Sequence, residues 1–255
     1  MAKRQTTDIL NQPPAKRSHT SFDLLEVDLT EINHDHVNEI ILLDQSRVPE
    51  GEPTGIDLEL LNEKNYPDFG VSGFEDSDSK LPFLIRDCAL QIIKSFRIMK
   101  RAFDRRGHFG KGNILQGPAG AGKSYVLYHV VQFCRASGWL VLYIPTAGAF
   151  NEYDNERAAG TILDNFLHAE KDKLKDIEFK KGGPSLYDFI SDGLDNEKYF
   201  ETWKGLSNLF SIKRLKYPFL IAVDEWNVKF DNPRCQELFE FFGVQKLVGI
   251  IFFLH

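Results

Sequence analysis

An α/β fold built around a mainly parallel sheet is the class this sequence predicts, and three stretches predict it. The first is Gly117-Pro118-Ala119-Gly120-Ala121-Gly122-Lys123-Ser124, a G-x-x-x-x-G-K-S run. It lies between the apolar Asn113-Ile114-Leu115-Gln116 and a helix-like stretch over residues 125–134. The second is Trp139-Leu140-Val141-Leu142-Tyr143-Ile144-Pro145, a near-continuous apolar run with a proline at its exit, as expected of a parallel strand buried on both faces. The third is Tyr217-Pro218-Phe219-Leu220-Ile221-Ala222-Val223-Asp224-Glu225, an apolar strand that ends in two adjacent carboxylates. Strands near 112–116, 139–144, 218–223 and 247–254 would form the sheet of a P-loop NTPase three-layer fold over residues 80–255. A largely irregular, polar and acidic arm, residues 1–79, precedes it.

The chain has 255 residues, 42% hydrophobic and 27% charged, which is enough for one full domain plus an arm. A formal net charge of -6 does not mark the whole molecule as a nucleic-acid binder. No apolar run reaches the ~18 residues a membrane span needs, so no membrane is expected as a partner. No secretory apolar region follows Met1. Cys88, Cys134 and Cys235 are far apart and form no C-x-x-C pair. Cys88 and Cys134 fall in helix-like apolar patterns and are expected to be reduced core residues of an intracellular, soluble protein.

In residues 1–20, Lys3-Arg4 and Lys16-Arg17 flank Pro13-Pro14, a spacing that reads either as a solvated tail or as a bipartite nuclear-import signal. Between residues 21 and 80, acidic side chains face only Arg47, Lys64 and Lys80. Apolar clusters at 22–25, 40–43 and 58–61 interrupt the charge and would dock on the main domain or on a protein partner. His34-Asp35-His36 lacks further ligands at metal spacing and reads as solvated. Ser72-Gly73-Phe74-Glu75-Asp76-Ser77-Asp78-Ser79 is a polar linker. Residues 82–104 repeat Ile85, Cys88, Ala89, Ile92, Ile93, Phe96 and Met99 at helical steps, with Arg86, Lys94, Arg97, Lys100 and Arg101 mostly on the other face. The basic cluster Lys100, Arg101, Arg105 and Arg106 is expected as a charged solvent face, with RNA contact as the alternative. Residues 155–215 read as mostly helical, divided at Gly182-Gly183-Pro184, and residues 238–242 as a short helix.

The chemistry is expected at the glycine loop and the carboxylate pair. Glycines let backbone N–H groups wrap a polyphosphate, and the following helix adds partial positive charge at the same point. Gly117, Pro118, Ala119, Gly120, Ala121, Gly122, Lys123, Ser124 and Tyr125 are the candidate nucleotide-binding residues. Lys123 would supply charge to the outer phosphates, and Ser124 a Mg²⁺ ligand. Asp224 would hold the Mg²⁺ shell from the strand end, which in open parallel sheets faces the ligand crevice. Glu225 either polarises the attacking water or serves as a structural carboxylate. Arg157, Arg214 and Arg234 are candidate charge stabilisers that the spacing does not choose between. His255 ends the last strand, where a polar residue could sense phosphate.

Residues 117–124, 128–134 and 138–145, with Phe219-Leu220-Ile221-Ala222-Val223-Asp224 and Asn227, resemble the nucleotide-binding core of the death-associated protein three family, P-loop proteins of the small mitochondrial ribosomal subunit. The similarity spans roughly residues 85–255. It implies a purine-nucleotide-binding subunit of the mitochondrial ribosome, with Lys123 and Ser124 at phosphate and Mg²⁺ and Asp224 at Mg²⁺. It also implies that the strands carrying the two motifs are separated in the sheet by another strand. Glu225 stands where animal members are expected to have glycine, which points to a working ATPase. The family continues beyond a point equivalent to residue 255, so its last sheet strand and helical C-terminal part are not expected here. Three functions follow: hydrolysis of Mg-ATP or Mg-GTP, a nucleotide-stabilised structural subunit of a ribonucleoprotein, or a stand-alone switch binding a protein through residues 21–80. The lack of an N-K-x-D or T-K-x-D motif favours ATP. The mitochondrion is the compartment implied by resemblance, with nucleus or cytoplasm as alternatives.

Overall fold

The computed structural model describes residues 28–44, 80–106, 111–118, 121–212, 215–225, 237–238 and 250–254. The tail 1–20, the clusters at 22–25 and 58–61, the linker 72–79, Ala119, Gly120, Arg214, Asn227, Arg234, Cys235, residues 239–242 and His255 lie outside the described residues.

The chain builds a four-stranded parallel sheet from β3 (Lys111–Leu115), β4 (Leu140–Ile144), β5 (Phe219–Val223) and β6 (Ile250–Leu254), in the order β3-β6-β5-β4. The strand between β3 and β5 is β6, the order implied by the resemblance. The apolar runs form strands because every residue of β4 and β5 is buried, leaving no polar face to solvate. Alternation along those strands feeds two cores. Leu140, Leu142, Ile144, Phe219, Ile221 and Val223 pack on one side with α3 (Asn155–Ala169), α5 (Leu186–Asp195) and α6 (Tyr199–Ile212). Val141, Tyr143, Leu220 and Ala222 pack on the other with α1 (Asp87–Arg106) and α2 (Lys123–Ala136). The result is three layers, helix–sheet–helix. Phe210 packs tilted against Phe219 at 4.1 Å, and Phe96 stacks on Trp139 at 5.5 Å, so large rings close both interfaces.

The helical insert between β4 and β5 forms as its pattern predicts, with the short α4 (Lys171–Lys175) before the glycine-proline break. Local signals set its starts. Asp154 accepts from Arg157 N at 2.8 Å to cap α3, and Ser185 with Asp188 forms a capping box on α5. Glu170, at the end of α3, is buried against Arg135 of α2 at 3.1 Å and Lys173 at 2.6 Å, tying the two helical layers together.

The N-terminal half of the molecule departs from expectation in three places. The helix expected over residues 82–104 does not begin at 82. Residues 80–84 form β2 (Lys80–Leu84), antiparallel to β1 (Ile40–Asp44), and α1 starts only at Asp87. The cluster at 40–43 is thereby ordered, and Leu29, Ile32 and Ile41 are buried in the core of α1 and α2. The buried stripe of α1 runs through Ala89, Leu90, Ile93 and Phe96, which leaves Cys88 exposed and outside the core. The basic residues of α1 are not simply a solvent face either. Arg97 donates to Thr30 O at 2.7 Å and Ile32 O at 2.6 Å while lying over the Phe133 ring, and Lys100 donates to Ser137 O. These cations satisfy carbonyls that would otherwise lose water on burial. His34 and His36 flank a 3-10 turn, in which His36 Nδ1 accepts from Asn33 N at 3.1 Å and His34 faces Asp87. No helix among the described residues is long and apolar enough to cross a membrane.

Two sites in this fold give measurable consequences. Gly193 of α5 meets Thr202 of α6 so closely that a Cβ would stand 2.0 Å from Thr202 Oγ1 and 2.8 Å from Thr202 Cβ. Gly193→Ala should cost about 1–3 kcal/mol by overpacking, read from the urea midpoint. His129 of α2 is buried, its Nε2 has no hydrogen-bond partner among the described residues, and burial lowers its pKa to about 4. A histidine lowered in the folded state stabilises fully above its ordinary value of 6.5 and loses that stability as pH falls toward 4. The loss over that window is on the order of 3 kcal/mol, and His129→Gln should remove it from the pH dependence of thermal unfolding.

Candidate functional site

Parallel pairing brings the chemically marked segments together. Leu115, the last residue of β3, pairs with Leu254, and Val223, the last of β5, pairs with Phe253. The C-terminal ends of β3 and β5 are therefore level within one residue, with β6 between them. The glycine loop leaves β3 and the carboxylate pair leaves β5 at the same edge of the sheet. Ile144 pairs with Val223, so the turn after β4 arrives there too.

The loop is closed by its own lysine. Lys123 Nζ donates to Gly117 O and Pro118 O, both at 2.9 Å, and Ala121 N donates to Pro118 O at 3.3 Å. Gly122, the N-cap just before α2, sits at φ 75°, a left-handed conformation that favours glycine. The backbone needs this position because it must turn sharply before entering the helix. A Cβ at Gly122 would also fall 2.6 Å from Arg86 Nη2. Gly117, Pro118 and Ala121 are exposed, whereas Gly122, Lys123, Ser124 and Tyr125 are half-buried. The Tyr125 ring packs on the core shared by α1 and α2.

Asp224 is 5% exposed. Its backbone is held on both sides, with Asp224 N donating to Ile144 O at 2.8 Å and Ala147 N donating to Asp224 O at 3.1 Å. Burial raises its pKa above the ordinary aspartate range. Three influences oppose that rise: the nearby Ser124 hydroxyl, a hydrogen bond from Glu225 N to Oδ1 at 2.7 Å, and the Lys123 charge. Ser124 and Asp224, a hundred residues apart in sequence, are thus brought close enough for the hydroxyl to act on the carboxylate, and Lys123 is near enough to act on it too.

Glu225 is exposed and sits at φ 57°, in the left-handed region. Its Oε2 accepts from Gly148 N at 3.3 Å, in the 3-10 segment Ala147–Glu152 that follows β4. Arg157 lies over the Tyr153 ring at 4.0 Å, just beyond that segment. One contact at the site was not foreseen from sequence: Arg86 Nη1 donates to Ala121 O at 2.6 Å. A lone arginine before a helix carries no motif, so only the packing of α1 beside α2 reveals it.

The fold and this juxtaposition define an α/β protein whose parallel sheet presents a glycine loop and a buried acid at one edge. The family model for mitochondrial ribosomal death-associated protein 3 matches residues 83–237, more than half of the chain, and the chain belongs to that family. No curated protein matches the chain.

Because Asp224 has its pKa raised in the folded state, it favours folding most below its ordinary value of 3.8, and that contribution is lost as pH rises through the folded value. Asp224→Asn should therefore raise the melting temperature of the ligand-free protein at pH 7 and flatten its fall with rising pH, measured by circular dichroism.

Proposed function

We propose that this chain is a P-loop NTPase that binds a Mg²⁺–nucleoside triphosphate, ATP before GTP, at residues 117–125 and 224. The observation that carries this is the arrival of the two motifs at one sheet edge, with the Ser124 hydroxyl and the Lys123 charge both acting on the Asp224 carboxylate. The donor set suits the group: a hydroxyl and a carboxylate are hard oxygen ligands of the kind Mg²⁺ takes. Asp224, buried and raised in pKa, stands where a divalent cation would offset its charge. Bound Mg²⁺ would neutralise and orient the outer phosphates.

The chain's own groups account for the rest. Lys123, held on Gly117 O and Pro118 O, keeps an ammonium at the mouth of the loop. The N–H groups at the start of α2 and the helix dipole favour negative charge there. Glu225 follows Asp224 at the same strand end and is the carboxylate available to take a proton from an attacking water. Its hydrogen bond to Gly148 N links it to the segment after β4. Family membership supports the mitochondrion and the mitochondrial ribosome as setting and partner, and nothing supports the nuclear or cytoplasmic alternatives.

Native mass spectrometry of the purified chain with ATP, GTP and Mg²⁺ tests the binding. The expected result is one nucleotide per chain that depends on Mg²⁺ and is lost in Lys123→Met; no adduct with either nucleotide rejects the assignment. Glu225→Gln should retain the adduct while phosphate release falls by about 10²-fold or more. Unchanged release would leave Glu225 a structural carboxylate.

A further inference from the structure

Arg86 stands at a point fixed by other parts of the chain. Ile85, fully buried, donates its N–H to Glu39 O at 2.9 Å and accepts from Asn38 N at 2.9 Å, which secures the chain next to β1. Leu90 N donates to Arg86 O at 3.2 Å as α1 begins. From this pinned backbone the half-buried guanidinium reaches 35 residues along the chain to Ala121 O at 2.6 Å. It also lies within 2.8 Å of where a Gly122 Cβ would be, by all three of its nearest atoms. A Cβ there would push the guanidinium from this position.

The bond acts on one peptide unit. Ala121 C=O and Gly122 N–H belong to the same planar group, and in a trans peptide the two point in opposite directions. No cis peptide is present among the described residues. Arg86 therefore holds the carbonyl on the α1 side and turns Gly122 N–H to the opposite side of the loop. In a loop that cradles phosphate, that is one of the donors the inner phosphates need. A planar guanidinium with a fork of donors fixes a carbonyl direction better than a lysine ammonium on a flexible stem.

We propose that Arg86 is a positioning residue for nucleotide binding: through Ala121 O it sets the peptide plane that aims Gly122 N–H at the inner phosphates. This rests on the nucleotide assignment made above. Arg86 itself touches no phosphate, so its loss weakens nucleoside diphosphate and triphosphate by the same factor. A residue bonded to the outermost phosphate would instead weaken the triphosphate alone.

The test is fluorescence titration of N-methylanthraniloyl-ADP and -ATP, with Mg²⁺, on the whole chain and on Arg86→Ala and Arg86→Lys. The ligand-free melting temperature of each is measured alongside. Losing one aimed donor should weaken both nucleotides about tenfold in Arg86→Ala. The ratio of the two affinities should stay as in the parent chain, and Arg86→Lys should recover part of the loss. Binding within twofold of the parent in Arg86→Ala overturns the proposal and leaves the nucleotide assignment standing. A loss confined to the triphosphate also overturns it, because Arg86 would then be a direct ligand. If the parent chain binds neither nucleotide, both fall together. Should Arg86→Ala fail to fold, Arg86→Gln, a shorter neutral donor, replaces it under the same criteria.

Discussion

A buried carboxylate brought level with a hydroxyl from two strands away in the sheet order is the constraint on which this site depends. Asp224 reaches its place because β5 is too apolar to end anywhere but inside the molecule. Ser124 reaches it because β3 and β5 run parallel with β6 between them. Neither residue chooses its partner locally. The sheet does so, by bringing strand ends level. What remains at the meeting point is a carboxylate with less compensation than its burial calls for. Such a group is retained at a cost to the folded state, which is the usual mark of a functional position.

A second set of constraints comes from cations that serve as donors to carbonyl oxygens. Arg97 joins α1 to residues 30 and 32, Lys100 joins α1 to the end of α2, and Arg86 joins the start of α1 to the glycine loop. Two positive side chains of α1 and one just before it thus tie together the segment at residues 30–32, the α2 terminus and the loop. The N-terminal segment around Leu29, Ile32 and Ile41 is consequently part of the same packed unit as the helices that frame the site.

Much of this was legible in the sequence. The two runs that become β4 and β5 are apolar at every step, and only burial on both faces explains that. The glycine loop and the acid pair announce themselves by residue type and spacing. Other features depend on partners distant in the chain. β1 and β2 pair across 35 intervening residues, and neither has a pattern that names the other. Cys88 fits a helical repeat, yet the buried stripe of α1 is rotated toward Leu90, so the thiol lies outside. Whether an arginine reaches water or a carbonyl depends on what packs beside it, and Arg86, Arg97 and Arg101 look alike in sequence.

The left-handed backbone at Glu225 carries a consequence of its own. A side chain there costs about 1–2 kcal/mol that a glycine would not. Breeding this protein for heat tolerance alone would discard the acid first. The sturdier descendant would keep its shape and lose a carboxylate that faces the solvent beside Asp224.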